Sequence, residues 1–280
     1  MNLLLGVMGD PVIQSKSPVM HQAALHAAGL PGNYVPLHVK ADQLERAIQG
    51  IRALGFHGVN VTVPHKIRVM DYLDEIDPAA AAIGAVNTIV HEDGRLIGYN
   101  TDGIGYLRSL KEETGAKLNG ANIVVLGAGG ASRAIIYALL QEKPKCLTIA
   151  NRTEATAQGL VSEWGHLGSL SACAYHNVRS ALETADIIIN TTTVGMYPHI
   201  EDIPVEPDWL PSGIIVSDLI YNPLETVLLT EAKRKNCRIH NGLGMFIYQG
   251  AYAFELWTKA SAPVAEMRAA VAGELNKEYH

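Results

Sequence analysis

The first hundred residues alternate short runs of β-forming side chains with helical patterns of apolar side chains. Strand-like runs occupy residues 3–8, 34–39 and 58–63, and apolar positions with helical spacing occupy residues 18–28 and 42–54. Strands that alternate with helices are typical of an α/β unit. This part of the chain therefore predicts a small α/β domain.

Two further strand-like runs, residues 88–91 and 95–99, flank the segment Glu92-Asp93-Gly94. An Asp-Gly pair between two such runs is a strong signal for a tight hairpin, because both residues tolerate the positive φ angles that the turn requires. The pattern predicts an antiparallel pair of strands at the end of this first domain.

The second half of the chain contains six apolar runs that suit buried parallel strands. They occupy residues 122–126, 147–150, 172–175, 187–190, 214–218 and 238–240. Six is the number of strands in a complete doubly wound dinucleotide-binding (Rossmann) fold. After residue 240 the pattern is helical, over residues 245–260 and 263–275, so this tail needs an existing surface to pack on.

The domain boundary is indicated by the change of pattern between Thr101 and Gly120. We expect an α/β substrate domain over residues 1–102 and a Rossmann domain over residues 103–240, with a connecting helix over residues 103–113. The length of 280 residues agrees with two domains, since one domain takes about 150 residues.

Composition and charge narrow the possible functions. Apolar residues make up 48% of the chain and charged residues 18%, a balance typical of globular proteins. The net charge is −6 and no run is rich in Lys or Arg, so we expect no nucleic-acid partner. The 11 histidines and three cysteines lack metal-ligand spacing, so we expect no metal and free thiols.

The apolar start of the chain is better explained as a first strand than as a signal peptide. No positive charge precedes Leu3-Leu4-Leu5, and Gly9-Asp10-Pro11 ends the run. No apolar stretch approaches the roughly 20 residues that a membrane-spanning helix needs. We therefore expect a cytoplasmic protein with no membrane contact, and the sequence leaves open whether it is a monomer or a homodimer.

A glycine-rich segment joins the first strand of the second domain to a helical pattern. It contains Gly127, Ala128, Gly129, Gly130 and Ala131, followed by Ser132 in the place of a third glycine. Glycines let a backbone approach a pyrophosphate, and the N-terminus of the following helix favours its charge. A glycine motif by itself is also compatible with a simple tight turn, but the strand–turn–helix context favours a dinucleotide site.

The end of the second strand of this domain indicates which dinucleotide binds. An NAD site usually carries Asp or Glu there, whereas this chain has Asn151, Arg152 and Thr153. A planar guanidinium suits a 2′-phosphate, so the sequence predicts NADP(H). The alternative is a solvated surface arginine, and the nearby Glu154 weakens the preference.

Polar clusters follow several predicted elements of the first domain, where ligands bind in α/β sheets. They are Ser15-Lys16-Ser17-Pro18, 60–66, Asn87-Thr88 and Asn100-Thr101-Asp102-Gly103. Each has a structural alternative: Ser17 and Asp102 are good helix caps, and Lys66 can be a solvated lysine at a helix start. Taken singly, Lys66 and Asp102 fit these alternatives better.

The clusters together resemble, in order, the motifs of the shikimate dehydrogenase family, and the resemblance spans nearly the whole chain. The matching parts are Ser15-x-Ser17-Pro18 with Met20-His21, Asn60-Val61-Thr62-x-Pro64-x-Lys66, Gly84-Ala85-Val86-Asn87-Thr88, Asn100-Thr101-Asp102-Gly103, the glycine loop, Asn151-Arg152-Thr153, Asn190 through Gly195-Met196, Tyr221-Asn222-Pro223, and Gly242-x-x-Met245 with Gln249.

The resemblance implies a role for each matching residue. Lys66 and Asp102 would form the catalytic pair, and the substrate's hydroxyls and carboxylate would be held by Ser15, Ser17, Asn60, Thr62, Asn87, Tyr221 and Gln249. Gly242 and Met245 would lie near the nicotinamide. The tail, residues 241–280, would complete the first domain.

The activity implied is the reversible, NADP-dependent reduction of 3-dehydroshikimate to shikimate, a step of aromatic amino-acid biosynthesis. Lys66 would supply the proton and Asp102 would orient it. Since the substrate and cofactor groups lie on different domains, we expect a cleft that closes. The sequence departs from the family at Ala155 and Thr156, where a second basic residue is common, so Arg152 would bear the 2′-phosphate largely alone.

Two other functions remain open at this point. One is a quinate/shikimate dehydrogenase that uses NAD or NADP; retention of Ser15, Ser17 and Arg152 argues against it. The other is a non-catalytic NADP-binding sensor, which would not need Lys66 and Asp102 together.

Overall fold

The computed structural model describes residues 2–278, which form two compact units. Unit 1 comprises the described residues up to Asp102 together with those from Ile247 onward, and unit 2 comprises Gly103–Phe246. The sequence-based boundary assigned residues 241–246 to the first domain, whereas in the structure they belong to unit 2. Their backbone explains this grouping, because the Gly242 N–H donates to the carbonyl of Ile220 at 2.9 Å.

Unit 1 contains a mixed six-stranded sheet. Its strands are β1 (Leu3–Gly9), β2 (Gly32–His38), β3 (Gly58–Val61), β4 (Glu75–Ile76), β5 (Thr88–Glu92) and β6 (Arg95–Tyr99), in the order β2-β1-β3-β5-β6-β4. The strand β1 pairs in parallel with both β2 and β3, whereas β5 is antiparallel to β3 and to β6. The carboxyl ends of β1 and β3 therefore meet the start of β5 at one edge.

The helices of unit 1 are α1 (Ser17–Ala27), α2 (Leu44–Ala53), α3 (Pro78–Ile83) and, after unit 2, the later part of α9 (Gly242–Thr258) and α10 (Val264–Glu278). In α2, Leu44, Ile48 and Ile51 recur with helical spacing and are buried against the sheet. The helix α1 packs on α10.

The predicted hairpin is present. Glu92 pairs with Arg95, which leaves Asp93 and Gly94 as a two-residue turn with φ angles of 50° and 78°. Both positive angles match the turn that Asp-Gly favours. The same register pairs Thr88 with Tyr99, so Asn87 and the residues after Tyr99 lie at the same end of the hairpin.

Unit 2 is a doubly wound Rossmann unit with six parallel strands, as the apolar runs predict. Its strands are β7 (Asn122–Leu126), β8 (Cys146–Asn151), β9 (Leu170–Ala174), β10 (Ile187–Asn190), β11 (Ile215–Asp218) and β12 (Arg238–His240), in the order β12-β11-β10-β7-β8-β9. This is the strand order of a dinucleotide-binding fold.

Alternate residues of β7 explain why helices cover both faces of this sheet. Ile123 and Val125 belong to one core, and Val124 and Leu126 belong to the other. The first core contains α4 (Asp102–Thr114), α5 (Gly130–Gln141) and α6 (Glu154–Trp164); the second contains α7 (Arg179–Leu182) and α8 (Val227–Arg234).

The structure differs from the sequence-based elements at several points, among them the short strand β4, which had not been predicted. Strand β3 ends at Val61 rather than residue 63. The short helix α3 had not been predicted, although Asp77 caps it by accepting from the Ala79 N–H at 2.9 Å, with Pro78 following. Within residues 2–278, no helix is both long and apolar enough to cross a membrane.

Candidate active site

The polar residues of unit 1 meet where the strands end. Asn60 of β3 pairs with Thr88 at the start of β5, and Thr88 pairs with Tyr99 at the end of β6. Lys66 joins them through its backbone, since its carbonyl accepts from the Val86 N–H at 2.8 Å. Sheet register thus brings together residues that are far apart in the sequence.

Lys66 and Asp102 form an ion pair. The Lys66 Nζ donates to Asp102 Oδ2 at 2.7 Å, and the side chains are 25% and 10% exposed. The other carboxylate oxygen, Oδ1, accepts from Asn87 Nδ2 at 2.8 Å. Lys66 is therefore not a solvated lysine, and the Asp102 carboxylate is held from two sides.

Asn87 is bonded at all four of its amide hydrogen-bonding positions. Its Nδ2 donates to Asp102 Oδ1 and to Thr101 Oγ1 at 3.0 Å. Its Oδ1 accepts from the Thr101 N–H and from Thr88 Oγ1, both at 2.9 Å. A backbone N–H can only donate, so this bond fixes the orientation of the amide.

Asn60 continues this network on β3. Its Nδ2 donates to Thr88 Oγ1 at 3.0 Å and to the Asn87 carbonyl at 3.2 Å, and its Oδ1 accepts from the Tyr34 hydroxyl at 2.7 Å. Hydrogen bonds thus connect six side chains in series: Tyr34, Asn60, Thr88, Asn87, Asp102 and Lys66.

Of the remaining predicted substrate residues of unit 1, Ser17 and Gln249 lie on α1 and α9, and Ser15 and Thr62 lie in loops. Ser17 is the first residue of α1, while the cap position is Lys16 without a side-chain cap bond, so capping does not explain Ser17. Ser15 Oγ accepts from the Ser17 N–H at 3.2 Å. The Thr62 N–H donates to the Met8 carbonyl, and the Gln249 carbonyl accepts from Thr101 Oγ1 at 2.9 Å.

Two buried histidines of unit 1 have structural environments. His65 Nε2 lies 2.6 Å from the Val39 carbonyl. His21 is fully buried between Tyr34 and Trp257, and burial lowers its pKa to about 3 against an opposing interaction with Asn60. The His21 ring is therefore neutral at physiological pH.

The glycine loop of unit 2 begins with a residue that has to be glycine. Gly127 has a φ of 108°, and an added Cβ would lie 2.7 Å from Thr191 Oγ1. Ser132 Oγ accepts from the Gly129 N–H at 3.1 Å and lies 2.6 Å from Thr191 Oγ1. These contacts hold the turn between β7 and α5 in place.

Glycine at positions 129 and 130 is explained by the approach of a ligand rather than by the backbone conformation or by close packing. Neither has a positive φ, and an added Cβ at either would meet no atom within 4 Å. The neighbouring chain supplies no reason for glycine there, whereas a bound pyrophosphate would. Ala128 is buried and Ala131 is exposed beside them.

The turn after β8 lies next to the glycine loop, because the Gly127 N–H donates to the Ala150 carbonyl at 2.8 Å. Asn151 Nδ2 donates to the Thr153 carbonyl at 2.9 Å, which shapes the turn around Arg152. Arg152 is exposed and has no hydrogen-bond or ion-pair partner among residues 2–278. Its guanidinium thus remains available to a 2′-phosphate.

Three further predicted residues belong to unit 2. The ring of Tyr221 stacks on Phe246 with 5.0 Å between centroids. Gly242 packs so closely against the Leu219 carbonyl that an added Cβ would lie 1.9 Å from its oxygen. Met245 is partly buried against the α4–α5 core. The ligand contacts expected of Tyr221, Gly242 and Met245 therefore remain proposals.

Asp218 is a buried carboxyl group at the end of β11. Its Oδ1 accepts from Asn190 Nδ2 and the Ile220 N–H, both at 3.1 Å, and its Oδ2 accepts from Thr226 Oγ1 at 2.8 Å. Burial raises the pKa of Asp218 to about 6, although these three hydrogen bonds act to lower it. The segment that carries Tyr221 leaves the sheet at this carboxyl group.

Within residues 2–278, no group of three or more His, Cys, Asp or Glu side chains could hold a metal ion.

Three family models match the chain. The model described as the shikimate dehydrogenase substrate binding domain matches residues 7–89, shikimate / quinate 5-dehydrogenase matches residues 109–202, and the shikimate 5'-dehydrogenase C-terminal domain matches residues 242–272. A shikimate dehydrogenase (NADP(+)) of Bacillus cereus strain AH187 is 46% identical over 275 residues, 98% of this chain and 99% of the relative. The chain belongs to the shikimate dehydrogenase family.

Solved structures agree with the family assignment. A shikimate dehydrogenase in complex with NADP⁺ has a TM-score of 0.92 at 45% identity, covering 98% of this chain and 96% of that one. A quinate dehydrogenase from Corynebacterium glutamicum in complex with NAD has a TM-score of 0.91 at 30% identity, covering 98% and 100%. A structure that is similar over nearly the whole chain thus carries the name of another substrate and contains NAD.

Sequence reasoning did not assign the side chains that connect the proposed site residues of unit 1 in this family member, namely Tyr34, Thr88 and Thr101. Thr88 and Thr101 stand beside assigned residues in polar pairs, and this adjacency was the available signal. Tyr34 lies in a strand-like run, where nothing in the sequence marks it.

Proposed function

We propose that this chain is an NADP-dependent shikimate dehydrogenase, which reversibly reduces 3-dehydroshikimate to shikimate. The observation that carries the proposal is the Lys66–Asp102 pair held by Asn87 within a member of this family. Reduction of a ketone requires a proton donor beside the carbonyl oxygen, and an ammonium paired with an oriented carboxylate meets this requirement.

Lys66 is the proton donor of the proposed mechanism. Its ammonium stabilises the negative charge that develops on the oxygen and transfers a proton to it. In the reverse direction the neutral amine accepts the proton of the substrate hydroxyl. Asp102 fixes the ammonium and accepts a hydrogen bond from a neighbouring substrate hydroxyl, and Asn87 keeps the carboxylate oriented.

The other polar groups recognise the substrate. Hydroxyl and amide groups suit a polyhydroxylated acid, because both kinds of group can donate and accept hydrogen bonds. We assign this role to Ser15, Ser17, Asn60, Thr62, Tyr221 and Gln249. Asn87, which the sequence also assigned to the substrate, has all four amide positions bonded within the protein and so acts through Asp102. Ser15 and Ser17, joined by a backbone-to-hydroxyl bond at the start of α1, suit the carboxylate.

NADP(H) supplies the hydride when it is bound. The open faces of Gly129 and Gly130, at the start of α5, fit its pyrophosphate together with Gly127, Ala128 and Ala131. Arg152, between Asn151 and Thr153, is suited to the 2′-phosphate. We assign Gly242 and Met245 to the nicotinamide end, and we infer a cytoplasmic enzyme because all three cysteines are free thiols.

A quinate/shikimate dehydrogenase that also uses NAD is the second candidate. It is favoured by Glu154, the first residue of α6, which lies two positions after Arg152 and opposes a 2′-phosphate by its charge.

The test is the absorbance of reduced nicotinamide after purified protein is mixed with shikimate and NADP⁺, shikimate and NAD⁺, or quinate and NADP⁺. We expect rapid turnover with the first pair only. Comparable rates with NAD⁺ or quinate would favour the second candidate, and no turnover with any pair would contradict dehydrogenase activity and favour an NADP-binding sensor.

A further inference from the structure

Tyr34 occupies the end of the polar network opposite Lys66. Its hydroxyl is buried and donates to Asn60 Oδ1 at 2.7 Å. We propose that Tyr34 is a positioning residue that sets the affinity for shikimate by holding Asn60. This inference rests on the proposed function, which assigns Asn60 to the substrate.

The ring of Tyr34 is held rigidly. His21 of α1 stacks on it with 4.4 Å between centroids and planes 13° apart, and Trp257 of α9 lies 6.1 Å away at a tilt. Trp257 is anchored in turn by its Nε1, which donates to the Ile89 carbonyl at 2.9 Å. Three elements of unit 1 thus fix the ring that carries the hydroxyl.

The position of Tyr34 in the sheet lets it reach Asn60. Tyr34 is on the edge strand β2 and Asn60 is on β3, with β1 between them. Leu5 pairs with both Tyr34 and Gly58, so these residues share one face and Asn60 lies two residues further along the same face. Gly58 has no side chain, which leaves room for Trp257.

The hydrogen bonds of Asn60 show how the Tyr34 hydroxyl affects ligand binding. Both N–H groups of Nδ2 are used, on Thr88 Oγ1 and the Asn87 carbonyl. Asn60 can therefore contact a ligand only through Oδ1, which accepts two hydrogen bonds. Tyr34 takes one of them and so directs the other lone pair at a ligand hydroxyl.

The influence of Tyr34 ends before the catalytic pair. Asn87 is oriented by the Thr101 N–H and by Asp102, whether or not Asn60 shifts. The Lys66–Asp102 contact therefore does not depend on the phenol. Burial also raises the pKa of Tyr34 well above its usual range, so the hydroxyl remains a donor at any working pH. A Tyr34 variant should change substrate binding and spare turnover.

The test compares Tyr34→Phe with Tyr106→Phe. Tyr106 is the matched control, because it is also buried and its hydroxyl donates to Ser217 Oγ at 2.9 Å in unit 2. Loss of one hydrogen bond typically corresponds to about a tenfold change in an equilibrium constant. We expect Tyr34→Phe to raise KM and Kd for shikimate about tenfold, with kcat and the KM for NADP⁺ within about threefold.

The control should leave the KM for shikimate within about twofold. An unchanged KM in folded Tyr34→Phe would overturn the proposal, as would an equal rise in both variants. Calorimetric titration with shikimate reads the same effect without turnover. A wild-type protein that binds shikimate but does not oxidise it would contradict the proposed function alone, and the ratio of Kd values would still decide the role of Tyr34.

Discussion

At the scale of single residues, the site of unit 1 depends on bonds that leave little freedom. Asp102 accepts from Lys66 on one oxygen and from Asn87 on the other. A partly buried ammonium beside a fixed carboxylate is a pre-organised proton donor. Lys66 is therefore the residue whose loss should affect chemistry more than binding.

Lys66→Ala should lower kcat about 10²- to 10⁴-fold, the range typical of a general acid, and leave the Kd for shikimate largely unchanged. Stopped-flow absorbance gives kcat and calorimetry gives Kd. Lys40→Ala is the matched control, since Lys40 is an exposed lysine of unit 1. Equal turnover of Lys66→Ala and wild type would contradict a role of Lys66 in the mechanism. A thermal midpoint of Lys66→Ala close to that of wild type excludes unfolding as the cause of a lower kcat.

At the scale of secondary-structure elements, buried polar groups tie strand ends to helix starts. Asp218 joins the ends of β10 and β11 to Thr226, the cap of α8. The carboxyl group is inside the second core of unit 2, and burial raises its pKa to about 6. Ionising it in the folded protein therefore costs free energy that the unfolded chain does not expend.

This predicts that wild type loses stability relative to Asp218→Asn as the pH rises. Below about pH 4 the carboxyl is protonated in both the folded and unfolded states, and between about pH 4 and pH 6 the folded state binds more protons, so the free energy of unfolding decreases with pH there. The amide is neutral at every pH and can donate to Thr226 Oγ1, so the variant lacks this decrease.

The measurement is chemical unfolding of both proteins at several pH values between 4 and 7.5. The difference should reach on the order of 2 kcal/mol at the upper end. Because other groups titrate in both proteins, only the difference between them reports on Asp218. A difference that is independent of pH would show that Asp218 ionises as readily in the folded protein as in the unfolded chain.

At the scale of the whole molecule, the proposed function assigns most substrate groups to unit 1 and the cofactor groups to unit 2. The first N–H groups of α5 have no partners within the helix, so a pyrophosphate should protect them. Hydrogen exchange with NADP⁺ should slow within residues 127–135, while shikimate should slow exchange within residues 60–66 and 99–103. In the shikimate experiment, exchange is compared with that of strand β9. In the NADP⁺ experiment, it is compared with that of helix α10. Protection by NADP⁺ in unit 1 without any at α5 would contradict this assignment.

Much of each unit was predictable from the sequence, because local pattern reflects local burial. The six apolar runs specified the Rossmann strands, and Asp93-Gly94 specified the hairpin, since few turns accept two positive φ angles. Glycines at 127, 129 and 130 marked the proposed cofactor loop, because Gly127 has a φ of 108° and a Cβ at Gly129 or Gly130 would meet only open space. The helix α3 was missed although Asp77 and Pro78 are capping signals.

The sequence by itself determined the types of elements, the cofactor loop and the chemical groups of the site. Only the tertiary structure decided how these groups are connected. Tyr34 is 26 residues from Asn60, and Lys66 is 36 residues from Asp102. Such contacts follow from strand order and register, which depend on the packing of the whole sheet rather than on any local pattern. For this reason the residue pattern around Asp102, taken singly, favoured helix capping, and the contacts of its carboxylate with Lys66 and Asn87 appear only in three dimensions.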